Sequence, residues 1–143
     1  MRIKLFLLGK TRRAEIRALL DDYAARIRRS AELEIVEVRE DSAASLRRLD
    51  AAPGATVVLL DADGTRFDSA QFAAWLGRCR DGGVRELVFL CGAAEGFPEA
   101  IAKRTTKRIA LSPMTFSHEL ARVMLVEQIY RAFAILAGHP YPK

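Results

Sequence analysis

At 143 residues, half of them hydrophobic, the chain is long enough to bury a core without disulfides or metal, and no apolar run reaches membrane-spanning length. The net charge of +5, carried far more by arginine than by lysine, suits a polyanionic partner because arginine grips phosphate with a bidentate fork. Cys79 and Cys91 form no CxxC pair and have no histidine at zinc spacing, which excludes a disulfide scaffold and a zinc module; they read as buried or half-buried thiols of a cytoplasmic protein.

The first apolar run, Ile3 to Leu8, ends at Gly9 and predicts a buried strand followed by a turn; it is too short for a signal sequence. From about Thr11 to Arg29, Ile16, Leu19, Leu20, Tyr23 and Ile27 recur at helical spacing. Leu33 to Val38 alternates apolar and acidic residues as a half-exposed strand does. Ser42 to Leu49 predicts a short basic helix capped by Ser42, and Ala51 to Ala55, with Pro-Gly, a turn. Thr56 to Leu60 is a continuous apolar run, the mark of a strand buried on both faces, which Asp61-Ala-Asp-Gly64 is expected to break sharply.

A helix follows from Asp68 to Cys79, then a strand from Val84 to Leu90, the glycine-bearing loop Cys91 to Gly96 and a short helix from Pro98 to about Thr105. Arg108 to Leu111 predicts the last strand, and Phe116 to Ala137 a long helix. This alternation argues for an α/β fold: one domain spanning residues 1–143, with a mainly parallel sheet flanked by helices. Ligands of such sheets bind beyond the carboxyl ends of the strands, a rule that converges on Leu60-Asp61, the Cys91–Gly96 loop and Leu111 to Phe116.

The Cys91–Gly96 loop lacks the third glycine and the lysine of phosphate-binding signatures, so it is either a tight strand-to-helix turn or a ligand loop. The long helix is apolar around most of its girth yet carries His118, Glu119, Arg122, Glu127 and Arg131, polar groups that require partners when buried. His118 and Arg122 share a face; Glu127 and Arg131 lie on the opposite side among Leu120, Met124, Tyr130 and Ala134, which suggests a helix packed on the sheet and on a second subunit of a homodimer. No nucleophile triad and no metal cluster is visible.

The segment SPMTFSHELARVMLVEQIYRAFAILAGHPY resembles the C-terminal signature of the RlmH family, small SPOUT-class methyltransferases acting on pseudouridine in 23S ribosomal RNA of the large subunit. The likeness extends through IKLFLLGK at the N-terminus, LLD at 59–61 and the loop CGAAEG. The resemblance implies a C-terminal trefoil knot, a homodimer whose two subunits complete the site, S-adenosyl-L-methionine as methyl donor without a metal, and action on the assembled ribosome. It carries cofactor contacts to Leu60, Gly92, Leu111, Ser112, Pro113, Met114, Thr115 and Phe116.

Transfer to N3 of pseudouridine is a positioning task in which a weakly acidic imide proton must leave, so a cation and a proton acceptor are expected nearby. Arg122 or Arg131 is assigned the charge-stabilising role, His118 substrate orientation or proton relay, and Tyr141 stacking or closure of the pocket. The chain departs from the family at its tail, where Tyr141-Pro142-Lys143 stands in place of Tyr-His, leaving the general base open and bringing His139 into consideration. Ala93 replaces the second glycine of the loop, Cys91 an aliphatic residue, and Ser117 a proline. Two other functions compete: a SPOUT enzyme with a different RNA target, and a non-catalytic ribosome- or RNA-binding protein.

Overall fold

The computed structural model describes residues 1–39, 47–49, 54–93 and 96–141. Five strands, β1 (Arg2–Leu8), β2 (Glu32–Val38), β3 (Thr56–Arg66), β4 (Glu86–Cys91) and β5 (Lys107–Ala110), form one sheet in the order β2-β1-β4-β3-β5. Every pairing is parallel, so the expectation of a mainly parallel sheet is met throughout. The helices are α1 (Ala14–Ile27), α2 (Ser69–Asp81), α3 (Glu99–Ala102) and α4 (His118–Leu136).

Alternation along the strands divides the core in two. Ile3, Leu5 and Leu7 of β1, with Leu87 and Phe89 of β4, face α1, α2 and α4. Phe6 and Leu8, with Val88 and Leu90, face the opposite way and pack with Leu49, Ile101 and Ala102. Burial on both faces is what a parallel sheet requires, and it accounts for the apolar runs Leu5–Leu8 of β1 and Leu87–Cys91 of β4. Helix α4 packs against both α1 and α2.

Most boundaries move by a residue or two from the sequence reading, but three elements differ by more. Helix α1 begins at Ala14 rather than Thr11, because Thr11 is buried and its hydroxyl is held by Arg122. Helix α3 spans only Glu99–Ala102, not 98–105. Strand β3 does not stop at Asp61. It runs to Arg66, with Asp61 accepting the backbone N–H of Asp63 at 3.0 Å and a register shift between Leu60 and Thr65. Ile109 of β5 is consequently registered with both Leu60 and Thr65. The close approach needs glycine: a Cβ on Gly64 would lie 2.6 Å from the Arg108 carbonyl carbon and the Ile109 nitrogen. Of the basic helix expected from Ser42, only Arg47–Leu49 is described, and it is helical; Ser42 and most of the Pro53-Gly54 turn lie outside the described residues.

The two ends of the chain are joined by charges. The N-cap of α1, Arg13, provides no side-chain cap of its own. Instead Glu119, in the first turn of α4, accepts the backbone N–H groups of Arg13 (3.1 Å) and Arg12 (3.2 Å). One turn on, buried Arg122 donates to the carbonyls of Leu8 (2.8 Å) and Gly9 (2.9 Å) and to the Thr11 hydroxyl (2.7 Å).

Burial pushes the Glu119 carboxyl up, but the Arg13 and Arg12 amides, with His118 and Arg122 nearby, hold it below the usual carboxylate range. A depressed folded-state pKa means that its stabilisation is full at neutral and weakly acidic pH and is lost as pH falls through that depressed value. Replacing Glu119 with alanine removes a cap and should cost about 1–2 kcal/mol in urea unfolding at pH 7. Glu119→Gln should lose less at neutral pH and show a flatter acid limb of stability against pH.

Candidate active site

A cavity of about 390 Å³ opens at the carboxyl ends of β4 and β5 and beside the middle of β3, just past its pairing with β4. Its volume falls within the range of small-molecule sites. Leu59, Leu60, Asp61 and Ala62 come from β3; Cys91, Gly92, Ala93, Gly96 and Phe97 from the end of β4 and its loop; and Leu111, Ser112, Met114, Thr115 and Phe116 from the connection between β5 and α4. Glu99, Ala102, Arg108, His118 and Ala121 complete the wall.

Local chemistry shapes each loop. Gly92 passes so close to Gly96 that an added Cβ would sit 2.7 Å from the Gly96 carbonyl oxygen, and Ala93 and Gly96 exchange backbone hydrogen bonds across the turn. Ser112 accepts the backbone N–H of Met114 at 2.9 Å, tightening the third loop. Ser117 then caps α4 by accepting from the Leu120 N–H at 3.3 Å, which sets half-buried His118 at the helix start, on the cavity wall.

Arg108 donates to Asp61 at 2.8 Å. The Asp63 N–H chiefly holds the Asp61 carboxyl below the usual range; burial opposes it and Arg108 assists. The apolar remainder provides slots for a flat or aliphatic ligand. Among the described residues, no group of three or more histidine, cysteine or acidic side chains is arranged to hold a metal ion.

Of the expected cofactor residues, Leu60, Gly92, Leu111, Ser112, Met114, Thr115 and Phe116 line the cavity, whereas Pro113 is exposed beside it. The residues assigned to catalysis are not brought together. His118 is on the wall; Arg122 is buried with its bonds directed at the β1–α1 loop; Arg131 and Tyr141 lie at the far end of α4, about 20 Å along the helix from His118.

There Arg131 donates to Glu127 at 2.9 Å and its guanidinium lies 4.6 Å from the centre of the Tyr141 ring. Tyr141 also packs edge-on against Tyr130 and shares a hydroxyl hydrogen bond of 3.2 Å with Tyr23. Burial and that hydrogen bond push the Tyr141 phenol up to about 12, so it is neutral at physiological pH. His139 is exposed at the same end, and Pro142 lies outside the described residues. Asp61, though at a strand end singled out by the topology rule, was not named as a site residue, and Arg108, Phe97 and Glu99 carried no signal that separated them from ordinary surface residues.

The parallel sheet and its cavity define an α/β protein with a small-molecule site at one end of the sheet. The model of the predicted SPOUT methyltransferase family matches residues 1–142. A protein of Pelobacter propionicus named ribosomal RNA large subunit methyltransferase H is 44% identical, covering 99% of both chains, and the protein of the same name from Geobacter sulfurreducens is 42% identical over 99% of both. The chain belongs to this family of SPOUT methyltransferases. Solved structures agree at the level of fold. The SpoU methyltransferase AviRb from Streptomyces viridochromogenes, solved with AdoMet, aligns with a TM-score of 0.54 at 13% identity over 97% of this chain and 59% of its own. A probable methylase family protein from Haemophilus influenzae aligns with a TM-score of 0.59 at 11% identity, over 99% and 72% respectively.

Cys91 lines the cavity yet is buried, and burial pushes its thiol up to about 12, with Arg122 pulling weakly the other way. The thiol is therefore neutral and shielded. In native protein at about pH 8, iodoacetamide should label half-buried Cys79 slowly and leave Cys91 unmodified until the protein is denatured, as read by peptide mass spectrometry.

Proposed function

We propose that the chain transfers a methyl group from S-adenosyl-L-methionine to N3 of a pseudouridine in 23S ribosomal RNA, working as a homodimer. The observation that carries this reading is the convergence of Leu60, Gly92 and the Leu111–Phe116 loop on one cavity. Those residues suit the cofactor: leucines and a bare glycine backbone admit a flat heterocycle, and Glu99 offers a carboxylate for a cationic ligand. When bound, the cofactor supplies an already activated methyl group.

The chain's part is alignment and proton handling. His118, half-buried on the cavity wall, is assigned to orient the base or relay its imide proton. Neutral Tyr141 serves by packing rather than as a base, and Arg131 stabilises the developing imide anion. Arg122 acts as a positioning residue, since its guanidinium holds the loop of Leu8, Gly9 and Thr11 against the start of α4.

His118 and Arg131 are too far apart to serve one site within a protomer, so the dimer supplies them in trans. Leu120, Met124, Glu127, Arg131 and Ile135 fall within about 80° of arc on α4. Three of them, Leu120, Met124 and Ile135, are large apolar side chains left 42–47% exposed, a face suited to a second copy. A second cavity beside that face is lined by Phe67, Phe72, Ile109 and Met124 and extends it. Membership of the SPOUT methyltransferase family supports reading the C-terminal part of the chain as a trefoil knot. All of residues 1–143 is read as one domain, working in the cytoplasm where ribosomes are. No described helix is long and apolar enough to cross a membrane.

Gly92→Val should abolish cofactor binding in calorimetry while circular dichroism stays native, because its side chain would collide with Gly96. Arg131→Ala should keep cofactor affinity and lose at least about tenfold in methyl transfer to purified large subunits. Mixing the two inactive proteins with subunit exchange should restore up to about a quarter of wild-type activity if the site is shared between protomers. No recovery from mixing, despite exchange, would contradict a shared site.

A further inference from the structure

The loop of residues 9–13, between β1 and α1, is basic on its outside and clamped on its inside. Glu119 accepts the Arg12 and Arg13 amides, Glu37 accepts the Thr11 amide, and Arg122 takes the Leu8 and Gly9 carbonyls. Arg17 braces the arrangement, donating to Glu37 at 2.6 Å and to the Thr11 carbonyl at 3.1 Å. The strong hydrogen bonds thus face inward, while Lys10, Arg12 and Arg13 are exposed.

Arg13 approaches Glu15 at 3.8 Å, with both side chains largely in solvent. Among the described residues, no carboxylate stands within ion-pair distance of the side chains of Lys10 or Arg12. The loop is also fixed relative to the cavity: Glu119 adjoins His118, and Ala121 and His118 are both on the cavity wall. A pair of exposed cations with no carboxylate partner among the described residues, on an immobilised backbone, binds a polyanion with little further ordering cost. Its rigid connection to the wall makes it suited to fixing register rather than merely adding charge.

We propose that Lys10 and Arg12 form a docking site for the phosphate backbone of the substrate RNA, setting the register in which the target nucleoside enters the cavity. The proposal rests on the reading of the chain as a ribosomal RNA methyltransferase. The contact is to phosphate, so it confers position and not base preference.

The test compares wild type, the double variant K10A/R12A, and R29A, which removes an exposed arginine beyond the opposite end of α1. Binding to a fluorescently labelled large-subunit rRNA hairpin containing pseudouridine is followed by anisotropy from about 50 to 200 mM salt, alongside calorimetry with S-adenosyl-L-methionine and methyl transfer to unmodified large subunits. The double variant should bind RNA about tenfold more weakly and have a salt slope shallower by about 1–2. Its cofactor affinity should be unchanged, and its loss of transfer should fall in KM rather than kcat. R29A should behave as wild type throughout.

The proposal is overturned if the double variant keeps both the affinity and the salt slope of wild type, or if R29A weakens binding as much. If wild type methylates nothing but the double substitution still weakens RNA binding selectively, the docking loop stands and the methylation reading falls.

Discussion

One guanidinium holds the two ends of this molecule together. Arg122 is buried in the middle of the protein, where its two terminal nitrogens donate to the Leu8 and Gly9 carbonyls and the Thr11 hydroxyl, offsetting much of the cost of burying a charge. Those acceptors belong to the first loop of the chain, whereas the arginine belongs to the last helix. Glu119 makes the complementary bond one turn earlier, accepting from amides of the same loop. Acceptor meets donor in both directions, so the start of α4 cannot shift without leaving buried polar groups unpaired. His118, between Ser117 and Glu119, has its position set by this arrangement.

The cavity depends on a second constraint. Strands β3, β4 and β5 are parallel and adjacent, so their carboxyl ends open on the same side. The middle of β3 and two loops, far apart in sequence, are delivered to one place by pairing, and glycine at 64 and 92 permits close backbone approaches there. The same geometry that buries Val58, Leu59 and Leu90 in the sheet therefore exposes Leu60, Gly92 and Leu111 to a ligand.

Much of this was readable from residue patterns, and the failures are informative. Apolar runs gave β1, β3 and β4, and the strand-end rule found the cavity loops without any likeness to known proteins. The polar stretch 61–64 read as a break because its aspartates suit a turn; what keeps it extended is pairing of Thr65 and Arg66 with β5, a long-range effect no local pattern contains. Arg122 looked available for chemistry because helical spacing puts it on His118's face, yet spacing is blind to the carbonyls of Leu8 and Gly9, more than a hundred residues away in sequence. The ion pair of Asp61 with Arg108 is invisible to local pattern for the same reason, since it joins β3 to β5. The separation of His118 from Arg131 and Tyr141 follows from simple helix rise.

The central claim is that this cavity serves methylation of one pseudouridine in large-subunit ribosomal RNA. Its most direct test is mass spectrometry of nuclease fragments of 23S rRNA from cells lacking the gene, compared with cells carrying it. The account predicts that a single pseudouridine-containing fragment loses the mass of one methyl group and regains it on complementation. Identical fragment masses in the two strains would contradict it.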